Sequence, residues 1–416
     1  MTSMPTDRSQ KIRIVHVINS LANGGAEAML ANLAVRTDRG RFEPSVALLI
    51  DDRTQAAAIE AAGIPISQMG MRPGIPDPVG LGRLARHLRR VRPHVVQTWM
   101  DHSNLIGGLA ARAALGSSVR VVWGVHHSNH VPGLTKRTTL WTLSACASLS
   151  RRVPDRIVLV SQAGHALYSS RGFDMSRMTV IPNGFDTQSF QPDPAARLAV
   201  RRELGIDPDV TLVGLVARYD PNKDHPNFLR AASILASRDP EVRFLLCGMG
   251  IDEGNAALTQ AISSLGLSDR CHLLGRRGDV ARIHAALDLE VSSSLSEAFP
   301  LVLGEAMACG VPCVATHVGD SALIVGSCGR IVPPREPHAL AFAMAELLAL
   351  PIDDRRRLGL AARKRIAELF DLSVIAHRYE RLYEQLVQEA GTSSSLFVSS
   401  HDPKSPSQTQ VSSRLI

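Results

Sequence analysis

The segment Ser296-Glu297-Ala298-Phe299-Pro300-Leu301-Val302-Leu303-Gly304-Glu305 carries two carboxylates around the start of an apolar helix. It follows an apolar run at 289–291 that reads as a strand. Pro300 suits a first helical turn. Gly310, with Pro312 two residues on, suits an end, so the spacing predicts a helix over 300–309. The free amides of Leu301 and Val302 would then face the mouth of a parallel sheet, a ready site for a diphosphate. Glu305 lies about one turn in and could accept two hydrogen bonds from a ribose diol. Glu297 precedes the helix, where a sugar on that diphosphate would lie. Arg218 and Lys223 follow a second apolar run, 211–217. A guanidinium grips phosphate oxygens bidentately and an ammonium acts as a point charge. Together they could neutralise a departing diphosphate, the electrostatic work that lowers such barriers.

Weaker signals accompany these. Gly24-Gly25 in the first strand-to-helix turn lets a ligand approach backbone amides. His126 and His127 end a strand, where an imidazole can bind sugar or phosphate or act as a base. The run 244–250 ends in Gly248-Met249-Gly250, but a dinucleotide fingerprint needs its third glycine where Glu253 stands. Gly248 therefore reads as a tight turn near the nucleotide rather than an NAD site. Each feature taken singly also has a plain structural reading: a helix cap, loop charge, a turn, a packed histidine.

Short apolar runs at 12–18, 45–49, 95–97, 119–125, 156–160 and 178–181 alternate with helical stretches, which implies a parallel sheet covered on both faces. Turn chemistry in Ile181-Pro182-Asn183-Gly184-Phe185-Asp186 and a linker at 191–194 interrupt the series. A second series follows at 211–216, 243–247, 272–274, 289–291 and 312–315. The chain thus divides into a first α/β domain (1–188), a second α/β domain (200–369), a final helix (370–390) and a polar, Ser-rich tail (391–416) expected to be disordered. Leu81, Leu84, Leu88 and Val91 form a stripe flanked by Arg83, Arg86, Arg89, Arg90 and Arg92, a basic amphipathic helix suited to sheet packing or to anionic lipid.

The net charge of +7 is unevenly placed. Through Phe190 the balance is +10, and beyond it −3. A basic N-terminal half points to an anionic partner, and with few interleaved aromatics nucleic acid is not expected. No apolar stretch reaches spanning length, and the polar first ten residues lack a signal-peptide core. The six scattered cysteines form no CxxC pair, as expected of reduced thiols in a cytoplasmic protein.

The ordered set of Gly24-Gly25-Ala26-Glu27, Val160-Ser161, Val180-Ile181-Pro182-Asn183-Gly184-Phe185-Asp186, Arg218 with Lys223, Glu297 with Glu305, Val318-Gly319-Asp320 and Gly329-Arg330-Ile331-Val332-Pro333 resembles the family-4 retaining glycosyltransferases. The resemblance covers nearly all the chain to about Glu389. It implies a GT-B fold: two α/β Rossmann-like domains facing across a cleft, with a last helix crossing back to the first. It further implies that Arg218 and Lys223 bind the donor diphosphate, Glu305 the ribose and Glu297 the donor sugar. The Leu301 and Val302 amides would bind phosphate, with Gly25 approaching from the other domain. Gly248 would lie near the nucleotide. His126, or its neighbour His127, matches the N-domain active-site histidine. The implied donor is a nucleotide-sugar, with no cofactor and no metal, and transfer proceeds with retention by front-face attack. The implied acceptor is a saccharide or lipid-linked saccharide of bacterial surface polysaccharide, met by a peripheral protein at the inner face of the membrane. A nucleotide-sugar 2-epimerase of the same fold and a catalytically inactive sugar-nucleotide-binding protein are the competing readings.

Overall fold

The computed structural model describes residues 10–22, 24–72, 77–126 and 137–398. Its first half runs β1 (Ile12–Ile18), α1 (Gly25–Arg36), β2 (Phe42–Leu48), α2 (Ala57–Ala61), β3 (Ile66–Gln68), α3 (Pro78–Val91), β4 (Val95–Trp99), α4 (Asp101–Leu115), β5 (Arg120–Val125), α5 (Arg137–Leu149), β6 (Arg156–Leu159), α6 (Gln162–Ser170) and β7 (Met178–Val180). The strands form one parallel sheet in the order β3-β2-β1-β4-β5-β6-β7. Both faces are covered. Ile14, Ile18, Val95 and Trp99 face one core, and Val15, Val17, Val96 and Trp123 the other. That is why these strands read as continuous apolar runs.

The second half runs α7 (Pro194–Glu203), β8 (Leu212–Val216), α8 (His225–Ala236), β9 (Arg243–Cys247), α9 (Ala256–Ser264), β10 (Cys271–Leu273), α10 (Val280–Ala286), β11 (Leu289–Ser292), α11 (Leu301–Ala308), β12 (Cys313–Thr316), α12 (Ser321–Val325), β13 (Gly329–Val332), α13 (Pro337–Leu348), α14 (Ile352–Leu369) and α15 (Leu372–Val398). Its parallel sheet has the order β10-β9-β8-β11-β12-β13. Strand order reverses between β1 and β4 in the first sheet and between β8 and β11 in the second. Such reversals open a crevice at the carboxyl ends of the strands, where ligands bind.

The linker and the last helix join the halves. Phe185 pairs with the chain at Asp371, donating its amide to the Phe370 carbonyl and accepting from the Leu372 amide. Its ring stacks on Phe299 and meets Phe370 edge-on. A Cβ on Gly304 would overlap that ring, so the linker locks α11 in place. α15 then returns to the first domain, where Leu372, Ile375, Tyr379, Tyr383 and Leu386 join its core. Arg41 bridges Glu380 and Glu384 of this helix, each at 2.6 Å.

Several boundaries differ from the sequence expectation. The second domain begins at Pro194 rather than 200. α7 is tied to it by Arg197 and Arg201, which reach Asp288 at 2.8 and 2.7 Å. The stretch 191–194 therefore includes a helix start, with Asp193 as its cap. α15 continues to Val398 instead of ending at 390, so the first residues of the Ser-rich tail extend a helix already nucleated by packing. Leu81 of the basic helix is exposed, while Leu84 and Leu88 are buried. β3 and β13 lie at sheet edges and carry Ser67, Gln68 and Arg330 within them, so neither reads as an apolar run.

Candidate active site

The cationic pair and the first glutamate arrive from adjacent strands at the second sheet's crevice. β8 ends at Val216 and the chain turns through Arg218 into a short 3-10 turn, Pro221–Lys223, capped by Asp220. β11 ends at Ser292 and leads into Glu297. The Lys223 Nζ lies 2.5 Å from the Glu297 Oε1, which also accepts from the Ser294 hydroxyl at 2.7 Å. The two loops are stitched together further: Ser293 donates to the Lys223 carbonyl and the Leu295 amide to the Asn222 carbonyl, both at 2.7 Å. Arg218 is different. Its side chain is 60% exposed and, among the described residues, its ion pair is with Asp220, at 3.2 Å through Nε.

Two helix starts converge on the same cleft. A Cβ on Gly25, the first residue of α1, would lie 3.4 Å from the Leu301 Cδ1, on the first residue of α11. Neither helix has a side-chain cap; Gly24 and Pro300 precede them. Pro300 is thus the cap residue rather than the first helical one, and the helix spans Leu301–Ala308 instead of 300–309. Facing amide ends of two helices make a positive field suited to a polyanion. Glu27 curls back over Gly24, and burial raises its pKa while the local amide opposes this.

Glu305 projects one turn into α11, a quarter exposed. Behind it His284 is fully buried on α10, with Nε2 3.7 Å from the Glu305 Oε2 and Nδ1 3.4 Å from the Glu290 Oε2. Burial disfavours the charged ring, but the two flanking carboxylates outweigh it and raise His284 to about 9. The sequence reading missed this cluster. Its one signal was Glu290, a carboxylate inside the apolar strand 289–291.

Gly248 sits beside the Arg218 turn and has a packing reason to be glycine. A Cβ there would overlap the Ala217 carbonyl, and its φ is +155°. The missing side chain serves the close approach of β9 to β8. Across the cleft, His126 ends β5 and stacks on Trp99 at 4.8 Å between ring centroids. Trp99 is fully buried and donates to the Nδ1 of buried His16 at 3.3 Å. Burial drives His16 down to about 3, so it stays a neutral acceptor. His127 lies outside the described residues. Asp320, another residue given no role from sequence, accepts from the Gln162 and Ala163 amides at 2.9 and 3.2 Å and so joins the second domain to the start of α6.

Two family models match. Residues 23–189 match "Glycosyltransferase Family 4" and residues 197–365 match "Glycosyl transferases group 1". One lies on each side of the linker, on the two sheets described above. The chain belongs to the family-4 glycosyltransferases. Among curated members, D-inositol 3-phosphate glycosyltransferase of Rhodococcus jostii is 32% identical over 57% of this chain. Its counterpart from Mycobacterium sp. strain KMS is 36% identical over 47%. These alignments span 56% and 45% of the relatives' own length, so the chain matches about half of each. The fold is GT-B. HepE of Anabaena in complex with UDP superposes with a TM-score of 0.78 at 24% identity, over 90% of this chain and all of that one. Sucrose-phosphate synthase from Thermosynechococcus elongatus gives 0.74 at 20% identity, over 91% of this chain and all of that one. The first GT-B domain carries Gly25 and His126, and the second Arg218, Lys223, Glu297 and Glu305.

Proposed function

We propose that this protein transfers a sugar from a nucleoside-diphosphate sugar to an acceptor hydroxyl, with retention at the anomeric carbon. The observation that carries this reading is the meeting at one crevice of Arg218, the Lys223–Glu297–Ser294 cluster and the facing starts of α1 and α11. The helix starts and the two cations hold the diphosphate. Glu305 takes the ribose and Glu297 the sugar, while His126 lines the sugar side. The acceptor oxygen attacks the anomeric carbon on the face the diphosphate leaves, the carbon–oxygen bond to phosphate breaks, and the acceptor proton passes to the departing phosphate oxygen. Cations suffice to stabilise that leaving group, so no metal is called for. The sugar in this reading is a hexose or an acetylhexosamine. HepE of Anabaena is solved in complex with UDP and with UDP-glucose, so uridine donors come first.

The acceptor in this reading is anionic: a lipid-linked saccharide of surface polysaccharide, met at the inner membrane face. The basic first half supports it, as does a groove of about 370 Å³ between α3 and β3 lined by Arg83, Arg86, His87 and Arg90. Among the described residues no helix is long and apolar enough to cross a membrane, so membrane contact would be peripheral. The test incubates the protein with UDP-, GDP- and ADP-sugars, with and without anionic lipid-linked saccharide acceptors. Acceptor-dependent release of the nucleoside diphosphate, with retained configuration in the product, supports the proposal. An epimerised donor without acceptor, or no turnover of any donor, overturns it.

A further inference from the structure

A buried line of charge runs from the middle of the second sheet to the cleft. Glu290 is fully buried in β11, between β8 and β12. Its Oε1 accepts from the Val216 amide at 3.1 Å, two residues before Arg218. Its Oε2 faces the Nδ1 of His284, whose Nε2 faces the Oε2 of Glu305. Around them pack Ile283, Ala286, Leu287, Leu303 and Met307, all apolar and buried. Bringing three ionisable groups into such a core is costly, and a pair of well-packed apolar residues generally serves stability as well. An imidazole with a carboxylate at each nitrogen answers both only as a cation with two N–H groups.

The third member of the line is the informative one. A pair needed only for folding would close on Glu290 and His284. Here it continues to Glu305, whose side chain reaches the cleft. A glutamate on a helix has freely rotating side-chain torsions, and ordering it at the moment of binding costs affinity. At 3.7 Å the approach is an ion pair on the Oε2 side rather than a closed hydrogen bond, so it orients the carboxylate without consuming it.

We propose that His284, anchored by Glu290, is a positioning residue that pre-orients the Glu305 carboxylate toward the donor's ribose hydroxyls and thereby sets a preference for ribo- over 2′-deoxyribonucleotides. This rests on the reading above in which Glu305 holds the ribose. His284 touches no substrate; it acts through Glu305. Its charge at neutral pH follows from the raised pKa and adds to the geometry.

The experiment measures calorimetric affinities of the full chain for the tightest binder among UDP, GDP and ADP and for its 2′-deoxy counterpart. A hydrogen bond to a charged group is worth about 1.5–3 kcal/mol, so the wild type should favour the ribonucleotide by roughly 10- to 100-fold. In His284→Asn the ratio should fall to within about 3-fold. Because Asn would leave Glu290 buried without its cation, the double variant His284→Leu with Glu290→Leu is measured beside it, with melting curves. Partial unfolding lowers both affinities equally and leaves the ratio unchanged, so a merely structural role would not move this readout. Glu305→Ala separates the layers. If Glu305→Ala abolishes the preference and both His284 variants keep it, the positioning role is wrong. If Glu305→Ala keeps the preference, the ribose reading itself is wrong and the inference goes with it.

Discussion

Replacing Arg218 by Ala separates folding from catalysis more cleanly than any other change in the cleft. The side chain is 60% exposed and its one ion pair, with Asp220, lies at 3.2 Å. Exposed pairs of this kind are worth about 0–1 kcal/mol, so the melting temperature should move by no more than about 2–4 °C. The catalytic term is far larger. If the guanidinium grips the departing diphosphate, it donates two charge-assisted hydrogen bonds where charge grows in the transition state. Removing one such donor in comparable sites costs about 3–4 kcal/mol, which is roughly 100- to 1000-fold in kcat/KM. Arg218→Lys restores a point charge without the fork and should fall between Ala and wild type. The assay is acceptor-dependent release of nucleoside diphosphate, with a melting curve on the same samples. A fully folded Arg218→Ala protein within about 3-fold of wild type in kcat/KM would refute the placement of the diphosphate at this rim.

Two further outcomes follow from the packing and the buried charge. Gly304→Ala places a methyl group into the Phe185 ring; overpacking of this kind costs about 1–3 kcal/mol, and chemical denaturation should register the loss, whereas a neutral result would mean that linker and α11 separate easily. His284 is raised from 6.5 to about 9 by Glu290 from β11 and Glu305 from α11, against burial. The stability it contributes is therefore complete below pH 6.5 and lost as pH rises through about 9, with a slope of at most about 1.4 kcal/mol per pH unit. Melting temperatures of the wild type should drop between pH 6.5 and 9.5 more steeply than those of the His284→Leu, Glu290→Leu double variant, and parallel curves would contradict the assignment.

The architecture was legible because fully buried parallel strands cannot hide. The runs at 12–18 and 243–247 match β1 and β9 residue for residue, and most of the other strand expectations fall within a residue or two. The site's first layer was legible for a related reason: strand ends and helix starts are marked by Gly, Pro and charged residues. Lys223 and Glu297 do meet, while Arg218 pairs with Asp220 beside them. What escaped was anything that depends on how helices lean on the sheets. His284 reads as one apolar-helix residue among others, and only the packing of α10 against α11 brings it to Glu305. Asp320 was visible as part of a familiar tripeptide, but its partner amides come from 157 and 158 residues earlier. The exchange of α15 between domains follows from Phe185 and Leu372, whose pairing no local pattern announces.

Asp320 gives the cleft a second kind of memory. The start of α6 has four amides that the helix itself cannot satisfy; Ser161 answers one at 2.9 Å, and this carboxylate from the opposite domain answers two. Separating the domains is thus the same event as uncapping a helix, and water must take over both amides when they part. Burial raises the Asp320 pKa while those amides hold it down, so a proton on this one carboxyl weakens the seam between the domains. The two domains are held together by a shared helix cap as well as by packing.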